Sequence, residues 1–155
     1  AGMSSILFQK LREDMGLAYS VYSYPSAYMD CGVFGVYLGT NPSSLKRALE
    51  AIGDINKKLL DHGFTEEEFQ RGKQQIKGAY ILGQENSLSV MRALARYALA
   101  ENEYFDVEKR IRLLDEVTNK DVSALIGKVF GSKPAAGYVG KKPDFDLEKV
   151  LQIKG

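Results

Sequence analysis

The chain has 155 residues, of which 45% are hydrophobic and 26% charged, and 21 lysines and arginines nearly balance 20 acidic residues. This length and composition suit one globular domain, and the formal net charge of +1 argues against a nucleic-acid partner, which a basic excess would indicate. The one cysteine and one histidine, Cys31 and His62, exclude a disulfide within the chain and a zinc site of cysteines and histidines. No apolar run approaches the roughly 20 residues of a membrane span, and we expect a cytoplasmic protein.

The first predicted elements are a helix and a strand joined by a glycine turn. Ser4 or Ser5 caps the helix, and Gly16 suits the left-handed residue that ends it. Alternating aromatic and β-branched residues predict a strand at 17–24, which we expect Pro25 to end. The apolar residues that recur at helical spacing on the helix are Ile6, Leu7, Leu11 and Met15.

A second strand is predicted at 30–39, and it pairs antiparallel with the first because the connection is too short for a parallel crossover. Helical periodicity and capping residues then predict a series of helices. Thr65 with Glu68, and Thr118 with Asp121, have the spacing of capping boxes. The expected helices run from 41 to 63, 65 to 83, 88 to 100, 106 to 117 and 118 to 130.

A short apolar strand is predicted at 135–140. Strands and helices are therefore segregated along the chain, which favours an α+β two-layer domain with an antiparallel-rich sheet packed by several helices. We assign 1–142 to this domain and 143–155 to a C-terminal tail that docks or frays.

Two hydrogen-bond donors flank the glycine turn. Arg12 lies one helical turn before it, and Tyr19 lies three residues into the strand. A guanidinium and a phenol that converge on a peptide carbonyl would stabilise the oxyanion formed when water attacks it. A solvent-facing arginine is the plain alternative for Arg12.

Tyrosines are dense in the predicted hairpin. They fit either a half-buried hairpin of good strand formers or an edge strand that pairs with an extended peptide, with Tyr22 and Tyr24 as contact residues. His62 at a helix end interacts with the helix dipole. Cys31 is interpreted as a small core residue, and a nucleophilic pair of Cys31 with His62 has no support from their spacing.

Several segments resemble one peptidase family, and the most specific is Gly16-Leu17-Ala18-Tyr19-Ser20-Val21 with an arginine seven residues before the tyrosine. Together they resemble the pitrilysin/insulinase (inverzincin) family of zinc metallopeptidases, which includes the mitochondrial processing peptidase and many bacterial zinc proteases. The other matching segments are Gly2-Met3-Ser4-Ser5, Leu7-Phe8, Leu11-Arg12-Glu13, Gly32-Val33-Phe34-Gly35-Val36-Tyr37, Gly39-Thr40, Thr65-Glu66-Glu67-Glu68, Glu116-Val117-Thr118, Asp121-Val122 and Val139-Gly140.

The resemblance implies a half-domain without zinc. Family members are built from homologous α+β domains arranged as the halves of a clamshell, and the front half carries the zinc motif His-x-x-Glu-His. That motif matches nothing here, because His62 stands alone. The back half carries an arginine and a tyrosine that reach the substrate, and these match Arg12 and Tyr19. The chain thus resembles the C-terminal half, incomplete at its start, with Ile6 and Asp14-Met15 as departures from the basic residues common in the family.

The function that the resemblance implies is the substrate-binding C-terminal portion of a zinc-dependent metalloendopeptidase, which is inactive by itself. Its partners would be a peptide or unfolded protein substrate and the zinc-bearing N-terminal half or subunit, with a homo-oligomer as a further arrangement. Zinc would be bound by that other half, and this chain would hold no metal. The alternatives are a non-catalytic partner or structural subunit of the same family, and a peptide-interaction module without catalysis.

Overall fold

The computed structural model describes residues 5–151, so Ser4, one of the two predicted caps, lies outside the described residues. Contacts divide these residues into two compact units. We call 5–63 with 125–151 the hairpin unit and 64–124 the helical unit. The α-helices are α1 (Leu45–His62), α2 (Glu66–Gly83), α3 (Ser87–Glu101), α4 (Val107–Glu116), α5 (Asn119–Phe130) and α6 (Leu147–Leu151).

The hairpin unit begins with a helix whose turns are wider than those of an α-helix. Ser5 accepts a hydrogen bond on its hydroxyl from the Phe8 amide at 3.2 Å, which confirms this residue as the cap. Phe8–Asp14 is then a π-helix, a form that spacing at three and four residues does not distinguish from an α-helix. Gly16 ends it with a φ of +59°, so the predicted glycine stop is confirmed.

Two strands, β1 (Ser20–Ala27) and β2 (Gly32–Gly39), form an antiparallel hairpin. The prediction that Pro25 ends the first strand is wrong, since Pro25 lies within β1 opposite Phe34. Tyr28 donates its amide to the Cys31 carbonyl at 2.9 Å. Because successive amides of a strand point to opposite edges, the nitrogen at position 25, three residues earlier, points away from β2. Proline therefore removes no hydrogen bond between the two strands.

A hydrophobic core joins the π-helix, the hairpin and α1. Leu11 and Ala48 have no exposed surface at all, and Val21 brings the inner face of β1 into the same cluster. Part of the predicted tail also packs there, because Phe145, Leu147, Val150 and Leu151 contact the core. The other buried members of the cluster are Leu17, Ala18, Leu45, Leu49, Ala51 and Ile52.

The predicted strand at 135–140 is wrong, because the structure assigns no strand to these residues. Tyr138 packs against the core and donates its hydroxyl to the Lys141 carbonyl at 2.9 Å, whereas Val139 is fully exposed. The packing of Tyr138 against the core accounts for the apolar pattern of this segment. A strand would also need a neighbouring strand to pair with its backbone amides and carbonyls. The described part of the chain still has the predicted α+β architecture, with a two-stranded antiparallel sheet and several helices.

The helical unit is held by local caps. The capping box of Thr65 and Glu68 is present in both directions, and Thr118 and Asp121 make the equivalent pair of bonds before α5. Asn119 joins the two helix starts by donating its side-chain amide to the Phe64 carbonyl at 3.0 Å. The two capping boxes predicted from the sequence are therefore confirmed.

A second set of contacts links the helices of this unit. Lys73 of α2 donates to the carbonyls of Asp115 and Val117 at the end of α4, where carbonyls lack helical partners. The Arg110 guanidinium of α4 stacks over the Tyr97 ring of α3 at 3.9 Å. Tyr97 is buried, with its ring 5.2 Å from that of Phe105.

Candidate functional site

Arg12 is an exposed cation on a buried support. Its neighbour Leu11 is fully buried, so the backbone at this point of the π-helix is fixed by the core. The guanidinium lies 4.9 Å from the centre of the Phe8 ring, which favours one orientation of a long side chain. Within residues 5–151 it makes no hydrogen bond or ion pair, and its donors are available to a ligand.

Tyr19 is exposed in the same manner. Two thirds of its surface is open, although the preceding Leu17 and Ala18 are buried. Its amide donates to the Gly39 carbonyl at 2.8 Å, and the Thr40 hydroxyl donates to the Leu17 carbonyl. The end of β2 thus holds the backbone that carries the phenol, while the phenol itself faces solvent.

The turn at Gly16 connects the π-helix, which carries Arg12, to the segment that carries Tyr19. The Leu17 amide donates to the Leu11 carbonyl at 2.8 Å, which closes the chain back onto the π-helix. Arg12 follows directly after Leu11, and Tyr19 lies two residues after Leu17. No direct contact joins their side chains among the described residues. The arrangement offers two exposed hydrogen-bond donors mounted on one buried support.

Tyr22 and Tyr24 lie on the outward face of the hairpin, about half exposed. Tyr22 stacks on Tyr37 across the strands, with ring centres 4.9 Å apart and planes 20° apart. The Tyr24 ring lies over Gly35, where a side chain would collide with it. These contacts fix both rings against the sheet, and Tyr37, one of the dense tyrosines of the predicted hairpin, joins Tyr22 and Tyr24 on this surface.

Beside this face runs the outer edge of β1. The backbone groups of successive residues in a strand point to opposite edges. Since those of Pro25 point away from β2, the amides and carbonyls of Val21 and Ser23 do so as well. No strand pairs with them in the part of the chain that the structure describes. Val21 is only 5% exposed with its backbone included, so its outward groups are largely covered, whereas Ser23 is half-buried and can offer its outward groups to an extended peptide.

The two remaining candidates make no site together. Cys31 is exposed, so its interpretation as a core residue is wrong; the two-residue hairpin turn places it at the tip instead of inside the sheet. His62 lies at the end of α1, as predicted. Among residues 5–151 no three histidine, cysteine or acidic side chains come together to hold a metal ion, so the residues present here do not fit a zinc site.

Comparison with known proteins supplies the class of protein. Residues 1–76 match the family model described as the peptidase M16 inactive domain. The chain is 38% identical to an uncharacterized zinc protease of Streptomyces coelicolor, covering 96% of this chain and 32% of that protein. It is 36% identical to an uncharacterized zinc protease of Mycobacterium leprae, covering 98% and 34%. The chain thus spans about a third of the length of these curated relatives.

Solved structures agree with this fold. A crystal structure of a peptidase M16 inactive domain from Pseudomonas fluorescens superposes with a TM-score of 0.59 at 25% identity, over 83% of this chain and 31% of that one. A chain of complex III2 from Candida albicans, with Inz-5 bound, gives a TM-score of 0.64 over 81% of this chain and 30% of that one. At 20% identity the second likeness shows the fold alone.

The fold, the family match and the curated relatives define the inactive domain of a peptidase family. The chain belongs to the M16 peptidases through their inactive domain, which confirms the pitrilysin/insulinase family predicted from the sequence. None of the helices within residues 5–151 combines the length and apolar character that crossing a membrane requires.

Proposed function

We propose that the chain is the substrate-binding C-terminal portion of a zinc-dependent metalloendopeptidase, in which Arg12 and Tyr19 bind the peptide carbonyl that is attacked. The observation that carries the proposal is the pair of exposed donors on buried supports around Gly16. Relatives that are named zinc proteases supply the reaction class.

The chemistry asked of the two side chains is electrostatic. Negative charge develops on the carbonyl oxygen as water adds to the peptide bond, and fixed donors that meet this charge lower the barrier. Loss of one such donor typically lowers kcat by about 10²- to 10³-fold. Both groups carry hydrogen-bond donors, a guanidinium through its N–H groups and a phenol through its hydroxyl.

The substrate is a peptide or an unfolded protein segment, held in extended form along the outer edge of β1. The outward amide and carbonyl of Ser23 would pair with its backbone, and Tyr22 and Tyr24 would contact its side chains. Zinc would be supplied by the other half of the enzyme, since residues 5–151 present no set of ligands for it. We therefore expect the chain by itself to leave peptides uncut.

The test combines the chain with the zinc-bearing half and measures the cleavage of an unfolded peptide. Arg12→Ala and Tyr19→Phe should each lower kcat by about 100-fold or more, with a smaller change in KM. Matched controls are Arg92→Ala and Tyr104→Phe, which alter an exposed arginine and an exposed tyrosine of the helical unit and should leave kcat unchanged. If both site variants retain full kcat, the assigned roles are wrong.

The same assay separates the alternatives. A chain that associates with a zinc-bearing half without raising its cleavage rate would be a non-catalytic partner. A chain that binds extended peptides but associates with no such half would be a peptide-interaction module. The cytoplasmic location of the protein and its assembly into a homo-oligomer remain predictions from the sequence.

A further inference from the structure

We infer that Phe8 is a positioning residue, which holds the Arg12 guanidinium in the direction where it meets the attacked carbonyl. This inference rests on the proposed function, because it assumes that Arg12 binds that carbonyl. It goes further by assigning a role to a side chain that has no hydrogen-bond donor of its own. The observation that carries it is the position of the guanidinium over the Phe8 ring, 4.9 Å from the ring centre.

The form of the helix brings these two side chains together. The Met15 amide donates to the Lys10 carbonyl at 3.2 Å, and such a bond between residues five positions apart is typical of a π-helix. Residues four positions apart, such as Phe8 and Arg12, therefore lie on the same side of this helix. Helical side chains also lean toward the preceding turn, so the arginine leans toward the ring.

The Phe8 ring is held by the protein on its other side. Phe8 is half-buried and packs against the core that includes Leu11, and its amide donates to the Ser5 hydroxyl at 3.2 Å. A ring packed in this way has few alternative rotamers. Arg12 is exposed, and without the ring its long side chain would sample many rotamers. The ring is therefore the fixed member of the pair.

The contact orients the guanidinium without occupying its donors. Phenylalanine has no side-chain acceptor, so the N–H groups of Arg12 stay available to a ligand. Two other arginines of the described residues lie over aromatic rings but use their donors within the protein. Arg110 bonds to Glu101 at 2.7 Å, and Arg96 bonds to the Tyr97 hydroxyl at 3.4 Å. Among these three, the arrangement at Arg12 is the one suited to an incoming carbonyl.

Orientation before the reaction matters for catalysis. Fixed donors stabilise developing charge because they need no reorganisation at the moment of reaction. An arginine that had to be ordered at that moment would lose its rotamer freedom in the same step. The ring imposes part of this order when the protein folds, so its removal should lower kcat more than it raises KM. The plain alternative is that Phe8 packs against the core and has no effect through Arg12.

The experiment is a double-mutant cycle in the complex of the chain with the zinc-bearing half. Phe8→Leu should lower kcat about two- to fivefold, the range expected for an exposed contact between a cation and a ring. In the Arg12→Ala background the same substitution should leave kcat unchanged, since no guanidinium remains to be oriented. An equal fall of kcat in both backgrounds, or no fall in either, would overturn the inference.

Two further variants separate orientation from packing. Phe8→Tyr keeps the aromatic face and should restore most of the kcat that Phe8→Leu loses. Phe145→Leu alters another half-buried phenylalanine of the same core, over which no cation lies in the described part of the chain, and it should leave kcat unchanged. A fall in Phe145→Leu equal to that in Phe8→Leu would show that lost packing lowers kcat. A tyrosine variant as slow as the leucine variant would contradict the ring face as the source.

NMR of the 155-residue chain measures the orientation without an assay. In the wild type the ring should shift the δ protons of Arg12 upfield, and the Nε–H bond of Arg12 should have a higher order parameter than that of the exposed Arg92. Phe8→Leu should remove both differences. Equal order at Arg12 and Arg92 in the wild type would overturn the inference even if the leucine variant failed to fold.

These measurements separate failure of the inference from failure of the proposed function. If Arg12→Ala retains full kcat, the proposed function is wrong, and the positioning role falls with it. If Arg12→Ala lowers kcat about 100-fold and Phe8→Leu leaves it unchanged, the proposed function stands and the positioning role alone is wrong.

Discussion

The two units of the chain are stabilised in different ways. The hairpin unit has a continuous buried cluster that includes Leu11, Val21 and Ala48, and its ion pairs are long and exposed, such as Lys10 with Asp14 at 3.7 Å. The helical unit buries fewer side chains and instead has capping boxes and close charge pairs, including Arg110 with Glu101 at 2.7 Å. The candidate site lies on the unit with the apolar core, where donors can be held still on a packed support.

The largest expected effect is that of Leu11→Ala. A cavity at a fully buried leucine should lower the free energy of unfolding by about 2–5 kcal/mol, measured by urea denaturation. Leu99→Ala is the control, because Leu99 is 85% exposed and its loss should cost less than about 0.5 kcal/mol.

Hydrogen exchange compares the effect of Leu11→Ala on the hairpin unit with its effect on the helical unit. Leu11→Ala should accelerate exchange in the hairpin unit more than in the helical unit, since local stability follows local packing. Equal acceleration in both units would contradict the separation between them. An unchanged free energy of unfolding would contradict the importance of the apolar core.

A smaller effect is expected from Arg110→Lys in the helical unit. Arg110 stacks on Tyr97 and pairs with Glu101 and Glu103, and an ammonium cannot reproduce a planar guanidinium in that position. We expect a loss of about 1 kcal/mol, compared with less than about 0.5 kcal/mol for Arg112→Lys at an exposed pair. Thermal unfolding in low salt and in 1 M salt (about 3 Å screening length) measures both. An equal loss in the two variants would show that stacking contributes nothing.

The features that could be predicted from the sequence are those determined by interactions between residues a few positions apart. Ser5, Thr65 with Glu68 and Thr118 with Asp121 cap helices as predicted, because each cap joins a side chain to a backbone amide three positions away. The errors at Pro25 and at 135–140 have a different origin. Whether proline interrupts a strand, or an apolar run becomes one, depends on which edge has a partner, and local patterns do not contain that information.

The candidate site divides in the same way. The resemblance to a family identified Arg12 and Tyr19, and the local pattern supplied the glycine stop between them. The stack of Tyr22 on Tyr37 and the position of the Tyr24 ring over Gly35 depend on the strand register. That register is fixed by the two-residue turn after Tyr28, which the tyrosine-rich sequence does not reveal.

Thr65→Ala should cost about 1 kcal/mol of stability, the usual contribution of an N-cap hydroxyl. The Thr65 hydroxyl accepts a bond from the Glu68 amide at 3.2 Å, and alanine leaves that amide without a partner in the helix. Thr65→Ser keeps the acceptor and should restore most of the loss. Denaturation of the three proteins measures the difference, and a serine variant as unstable as the alanine variant would contradict the hydrogen bond as its source.

The smallest expected effect is a change in acid sensitivity at the same cap. Hydrogen bonds from the Thr65 amide and hydroxyl lower the pKa of Glu68, so the folded state binds its proton less readily than the unfolded state. The stability from this carboxylate is therefore fully present above the unfolded pKa of about 4.3 and is lost as the pH falls through the lower folded pKa. Glu68→Gln keeps an acceptor for the Thr65 amide but has no proton to gain. Between about pH 5 and pH 3 its free energy of unfolding should fall less steeply than that of the wild type. An equally steep fall in the variant would show that the capping carboxylate contributes no acid sensitivity.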